Sequence, residues 1–270
     1  MRKKSRTTAT RPKKSLGQHF LIDPHITQKI IDVCDLEPQE TILEIGPGKG
    51  ILTEPIAGRV KSVIAVETDS FLVEFLQKRL AGLPVTIIHA DVLKYEIPSH
   101  RPLKVVGNLP YYISTPIIEK LITHRRKISF AYITLQREFA LRLTALPGSK
   151  SYGSLSCFIQ FYSDAKILLK IGRFCFFPPP KVESCLVRLR FLPGGRFVVS
   201  DEGFLFSLIQ TAFSQRRKKI TNALEKIASK GNLTEALKEL GLSPHARAEN
   251  LSLEDFVRLA NRLHNPSSED

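Results

Sequence analysis

Short apolar runs alternate with stretches of helical spacing through the first half of the chain. Residues 42–45, 63–66, 85–88, 104–106 and 128–135 are continuous or nearly continuous in apolar side chains and read as buried strands. Between the early runs, Ile26, Ile30, Ile31 and Val33 mark one face of a helix opened by Asp23-Pro24, and residues 71–80 form another helical stretch. Strand and helix in regular alternation predict an α/β fold with a mostly parallel sheet. Residues 137–146 and 152–162 read as helices, and two late apolar segments follow at 165–171 and 185–191. Leu192-Pro193-Gly194-Gly195-Arg196 is the best linker candidate. Beyond it, apolar residues from Phe204 to Ile227 recur at helical spacing, with Gly231 expected to end that helix. Two further helices are expected at 233–240 and 253–263, the last opened by Ser252 with Asp255 at capping-box distance. The division expected is an α/β domain at 15–195 and a small all-α domain at 196–270.

The densest punctuation lies at the end of the first strand, Glu44-Ile45-Gly46-Pro47-Gly48-Lys49-Gly50. A strand that runs into glycines at every second position, then into a helix, is a turn built for close approach of a nucleotide-like ligand. The spacing departs from that of dinucleotide folds, and Glu44 just before the turn would repel a pyrophosphate and suit a cation, so a sulfonium cofactor fits better than a dinucleotide. Glu67 ends the second strand, 17 residues past Gly50, where an acid accepts from ribose hydroxyls. Asp91, past the third strand, is placed to accept from an adenine amine. The fourth strand ends in Asn108-Leu109-Pro110-Tyr111. An exocyclic base amine is a poor nucleophile, and acceptors such as the Asn108 amide oxygen and the Leu109 carbonyl favour its reactive pyramidal form, while Tyr111 can stack on the base. Phe176-Phe177-Pro178-Pro179-Pro180 is a stiff, extended stretch that holds a phenylalanine either over the other face of the base or in a core edge.

Charge adds a partner class. The chain has 40 Lys and Arg against 26 Asp and Glu, a net +14, with 30 against 16 in residues 1–200. A polyanion bound through phosphate contacts is the expected partner. Residues 1–14 carry seven basic side chains and read as a mobile arm without a secretory pattern, and Arg216-Arg217-Lys218-Lys219 is a second cluster suited to RNA. The four cysteines have no metal-ligand spacing and no apolar run is long enough to span a membrane, so a cytoplasmic protein with reduced thiols is expected.

Taken in order, Leu16–Leu21 (Leu-Gly-Gln-His-Phe-Leu), the 44–50 turn, Glu67, Asp91, 108–111, 176–182 and Phe213-Ser-Gln-Arg-Arg-Lys-Lys219 resemble the small-subunit ribosomal RNA adenine N6,N6-dimethyltransferase family over nearly the whole chain. The resemblance implies a Rossmann-like S-adenosylmethionine-dependent methyltransferase with a seven-stranded sheet at 15–195. It also implies dimethylation of two adjacent adenosines in the 3′-terminal hairpin loop, within a pre-30S particle, by a monomer without a metal. It carries cofactor contacts to His19, Leu21, Gly46, Gly48, Glu67, Asp91 and Asn108, and catalytic roles to Asn108, Leu109, Pro110, Tyr111 and Phe176. His19 departs from the family, which often has asparagine there. A large-subunit adenine N6-methyltransferase of the resistance type, a non-catalytic assembly or transcription factor and a DNA adenine methyltransferase are the competing readings.

Overall fold

The computed structural model describes residues 17–98 and 102–264; the basic arm expected at 1–14 lies outside them. The elements follow the apolar pattern closely. After β1 (Phe20–Leu21) comes α1 (Pro24–Asp32), whose N-terminus is capped by Asp23 accepting from the His25 and Ile26 amides. Then follow β2 (Thr41–Ile45), α2 (Thr53–Ala57), β3 (Ser62–Glu67), α3 (Ser70–Arg79), β4 (Val85–His89), β5 (Leu103–Asn108), α4 (Ser114–Thr123), β6 (Ile128–Gln136), α5 (Arg137–Leu143) and α6 (Ser154–Tyr162). The chain continues as β7 (Ser163–Ile171), β8 (Phe176–Phe177), β9 (Ser184–Phe191), α7 (Glu202–Ser214), α8 (Ile220–Ala223), α9 (Lys230–Glu239) and α10 (Leu253–His264).

Seven strands form one sheet in the order β4-β3-β2-β5-β6-β9-β7, with β4-β3, β3-β2, β2-β5 and β5-β6 all parallel. Strand order reverses beside β2, where β3 and β4 lie to one side and β5 and β6 to the other. In such sheets the crevice beyond the carboxyl ends at the reversal is the natural ligand site. On one face, Ile42, Val63, Ala65, Val106 and Tyr132 pack with Ile30, Ile31, Ile56 and Ala57 of α1 and α2. Glu44 belongs to this same face, two residues beyond Ile42 and level with Ala65 and Val106.

The chain forms two compact units, 1–137 with 168–188, and 138–167 with 189–270. Residues 138–167 therefore group with the C-terminal helices, although they precede residue 195 in sequence. The second unit is stitched by aromatic rings: Phe158, Phe161, Tyr162 and Phe206 have centroids 4.8–5.7 Å apart. Its Pro193-Gly194-Gly195 stretch is not a free connector. The Leu192 and Arg196 amides donate to the Tyr162 and Phe161 carbonyls at 2.8 and 2.7 Å, and Arg196 pairs with Asp164.

Two helical expectations are corrected. The pattern from Phe204 to Ile227 is not one helix: α7 stops at Ser214, residues 215–219 turn, and α8 is a separate short piece. Gly231 ends nothing; it lies in the first turn of α9, which Ser229 caps through the Asn232 amide. The capping box at Ser252 forms, with reciprocal bonds to Asp255 of 2.9 and 3.1 Å.

Candidate active site

Ile45 on β2 pairs with Gly107 on β5, so the glycine turn and the 108–111 segment leave adjacent strands side by side. A Cβ on Gly107 would stand 3.0 Å from the Ile45 carbonyl oxygen, which is why a glycine holds these strand ends together. Between the segments lies a cavity of about 350 Å³, within the range of small-molecule sites. Its wall includes His19, Leu21, Glu44, Gly46, Gly48, Glu67, Asp91, Asn108, Leu109, Pro110 and Tyr111. Every residue expected to hold the cofactor is brought to this one place. The sequence reasoning missed Phe20, Val92 and Leu93, which supply apolar wall; Asp91-Val92-Leu93, an apolar pair straight after a strand-end acid, was the available signal.

The acids are fixed by backbone. Glu67 Oε1 accepts from the Thr68 and Asp69 amides at 2.9 and 3.0 Å, and Oε2 accepts from Gly48 N–H at 3.2 Å. Burial raises its pKa, and these three donors work against that rise. A carboxylate has about four acceptor positions, so one is left for a hydroxyl at the cavity. Glu44 is different. It is 1% exposed, its Oε2 has no hydrogen-bond partner, and no ion pair reaches it among the described residues. Burial, joined by the charge of Glu67, raises its pKa to about 7; the Thr53 hydroxyl lies near enough to ease the charge without completing a bond.

The Asn108 amide is oriented by its partner. Nδ2 donates to the His19 carbonyl at 2.9 Å; a carbonyl can only accept, so the nitrogen is committed there and Oδ1 remains as acceptor at the cavity. The His19 ring stacks on Tyr111 at 5.6 Å and its Nδ1 contacts the Pro178 carbonyl oxygen at 2.6 Å. Tyr111 is tied in turn to Ser184 through their hydroxyls, at 2.7 Å.

The antiparallel pair β1–β8 places the two phenylalanines on opposite faces of the ladder. Leu21 opposes Phe176, and both belong to the core cluster; Leu21 also lines the cavity, whereas neither Phe176, 2% exposed, nor Phe177 does. Phe20 opposes Phe177, and opposed residues of a ladder share a face. Phe20 stands at the cavity wall, where a Cβ on Gly48 would come within 3.0 Å of its ring, and Phe177 is 54% exposed. The basic cluster divides by its contacts. Arg216 is engaged inside its own unit, pairing with Glu249 at 2.7 Å and donating to the Ser149 and Lys150 carbonyls, whereas Arg217, Lys218 and Lys219 are exposed.

The donor set suits an adenosyl sulfonium: an unpaired buried carboxylate for a cation, a spare carboxylate position for a ribose, and a glycine cradle that a side chain would fill. A sheet of this order with its cavity at the reversal defines a Rossmann-like S-adenosylmethionine-dependent methyltransferase. Among solved structures, a dimethyladenosine transferase from Plasmodium falciparum superposes with a TM-score of 0.76 at 27% identity, over 89% of this chain and 96% of that one. The 23S rRNA methyltransferase ErmE superposes with 0.75 at 27% identity, over 91% and 99%. Sequence narrows the class. Ribosomal RNA small subunit methyltransferase A of Geobacillus kaustophilus is 42% identical over 265 residues, 93% of this chain and 90% of that protein. Its namesake from Streptococcus pneumoniae strain P1031 is 41% identical over 267 residues, 93% and 91%. Residues 9–265 match the family described as ribosomal RNA adenine dimethylase, and the chain belongs to it.

Proposed function

We propose that this chain transfers methyl groups from S-adenosylmethionine to N6 of two adjacent adenosines in the 3′-terminal hairpin loop of small-subunit ribosomal RNA, two on each. The carrying observation is the register of Ile45 with Gly107, which sets the cofactor turn and the Asn108 acceptor on one cavity. The small-subunit substrate rests on relatives above 40% identity that bear that name, and the large-subunit reading on one structural neighbour at 27%.

The bound donor supplies a methyl group already made electrophilic by its sulfonium sulfur. Glu67 accepts from the ribose, Asp91 from the adenine amine of the donor, and the 46–48 backbone admits both. Asn108 Oδ1 and the Leu109 carbonyl accept from the target amine, localising its lone pair for attack, while Tyr111 and a phenylalanine of the 176–177 pair, Phe176 by the family resemblance, hold the extruded base by its faces. After one transfer the amine keeps a single N–H, so one acceptor suffices for the second round. Positioning of this kind supplies on the order of 7–11 kcal/mol at best. The chemistry is carried within residues 15–195, by the part that excludes 138–167 and 189–195, and residues 196–270 add a helical part whose exposed Arg217, Lys218 and Lys219 face phosphate. The pre-30S particle is the partner, in the cytoplasm, met by a monomer.

The test is Asn108→Ala. Turnover on unmodified small subunits falls about 10²-fold or more, as on loss of one preorganised polar partner, while donor affinity falls less. A parental rate would overturn the assignment.

A further inference from the structure

The cavity takes one adenosine at a time, and the substrate carries two side by side. When one base leaves the stack to enter the cavity, its neighbour is left with one face bare. An aromatic ring stands near that point. Tyr112 follows Tyr111 in the one-turn helix Tyr111–Ile113, lines the cavity, and is still 61% exposed. The two tyrosines are held differently. Tyr111 is fixed, stacked on His19 at 5.6 Å and tied to Ser184 through its hydroxyl at 2.7 Å, whereas no hydrogen bond reaches the Tyr112 hydroxyl among the described residues. Gly17 backs the Tyr112 ring: a Cβ there would come 3.2 Å from Cδ1 and 3.5 Å from Cε1, and its φ of +54° suits glycine for a second reason. The ring is thus supported along one edge, and most of its surface is open to a ligand. An isolated exposed aromatic is ordinary. One that adjoins the residue gripping the target base, at the mouth of the same cavity, has a use.

We propose that Tyr112 is a second base seat, on which the nucleotide next to the target adenosine stacks, on one fixed side, while the target occupies the cavity. The proposal rests on the small-subunit reading above and deepens it by placing the rest of the adenosine pair. In one of the two transfers the seat holds the partner adenosine, and in the other the loop nucleotide beyond. Stacking needs a π-face and no particular hydrogen-bond pattern, so either base is accepted. A dimethylated adenosine keeps its face, so a finished neighbour can sit there while its partner reacts. Reseating the neighbour offsets part of the cost of pulling the target out of the stack.

The experiment measures kcat/KM of the full chain, Tyr112→Ala and Tyr112→Phe on small subunits rebuilt with synthetic 3′-terminal RNA. One substrate carries the natural pair of adenosines. The others carry a single target adenosine with guanosine or an abasic residue in place of its partner, on the 5′ or the 3′ side. For one of these sides the parent is expected to lose about tenfold when guanosine gives way to the abasic residue, the loss of one base–aromatic stack. Tyr112→Ala should be about tenfold slower than the parent with guanosine in that place and no slower again with the abasic residue, whereas Tyr112→Phe should follow the parent throughout, since the ring does the stacking. A variant that was slow through poor folding would still lose rate with the abasic neighbour, so the comparison separates seating from structure. An abasic penalty that is equal in parent and Tyr112→Ala on both sides, or a Tyr112→Phe as slow as Tyr112→Ala, overturns the seat while leaving the methyl-transfer reading intact. A parent that fails to methylate even the natural pair overturns both.

Discussion

Replacing Glu44 by glutamine should make the protein more stable, by a margin that grows as pH rises from 5 and levels off above about 7. The side chain is 1% exposed and its pKa rises from 4.5 to about 7 because burial penalises the charge. Between these two values the folded protein keeps a proton that the unfolded chain has released. Stability from this site is therefore greatest below the unfolded value, declines as pH rises, and levels off above about 7. The full span is worth about 3 kcal/mol at 1.36 kcal/mol per unit. Glutamine keeps the shape, cannot ionise, and costs about 1 kcal/mol for its buried amide. The variant should match the parent near pH 5 and exceed it by about 2 kcal/mol at pH 8, an apparent Tm higher by roughly 4–8 °C. Thermal unfolding of both proteins across pH 5–8, without ligand, is the assay. A variant that is less stable at pH 8, or whose advantage is the same at both ends, would refute a buried ionising carboxylate at this position.

Two further outcomes follow from residues that the ladder and the ion pairs separate. Phe176→Ala should cost about 3–5 kcal/mol of stability by emptying a core site, whereas Phe177→Ala should leave stability within about 0.5 kcal/mol and lower turnover on the particle; reversed effects would mean that the β1–β8 register is wrong. Arg216→Ala should destabilise the helical unit, since Glu249 and the 149–150 carbonyls lose their partner, while Lys218→Ala and Lys219→Ala should keep stability and each lower the slope of log affinity against log salt by about 0.7–0.9, read by filter binding. An unchanged salt slope would remove those lysines from the RNA surface.

What could be read along the chain was what is local. The apolar periods located β2 to β6, and the glycine turn, Glu67 and Asn108 each sit at a strand end, where chain direction alone sets their side of the sheet. What escaped depends on distant pairing. β1 and β8 are two residues each and more than 150 positions apart, yet their register alone turns Phe177 outward and Phe176 inward. The tie from Tyr111 to Ser184 is hidden for the same reason. The break after Ser214 was missed because helical spacing of apolar residues continues across it, with Ile220 and Leu224 buried from a second, shorter helix. Glu44 was legible as a charge suited to a cation; that it lacks any protein partner is visible only in three dimensions.

The central claim is that one cavity at the carboxyl edge of the sheet presents a sulfonium methyl to an adenosine of the small subunit. It is tested most directly by incubating the protein with labelled S-adenosylmethionine and unmodified small or large ribosomal subunits, then identifying the modified nucleosides by mass. The account predicts N6,N6-dimethyladenosine at two adjacent positions of the small-subunit RNA and no label on the large subunit. Label confined to large-subunit RNA, or none on either, would contradict it.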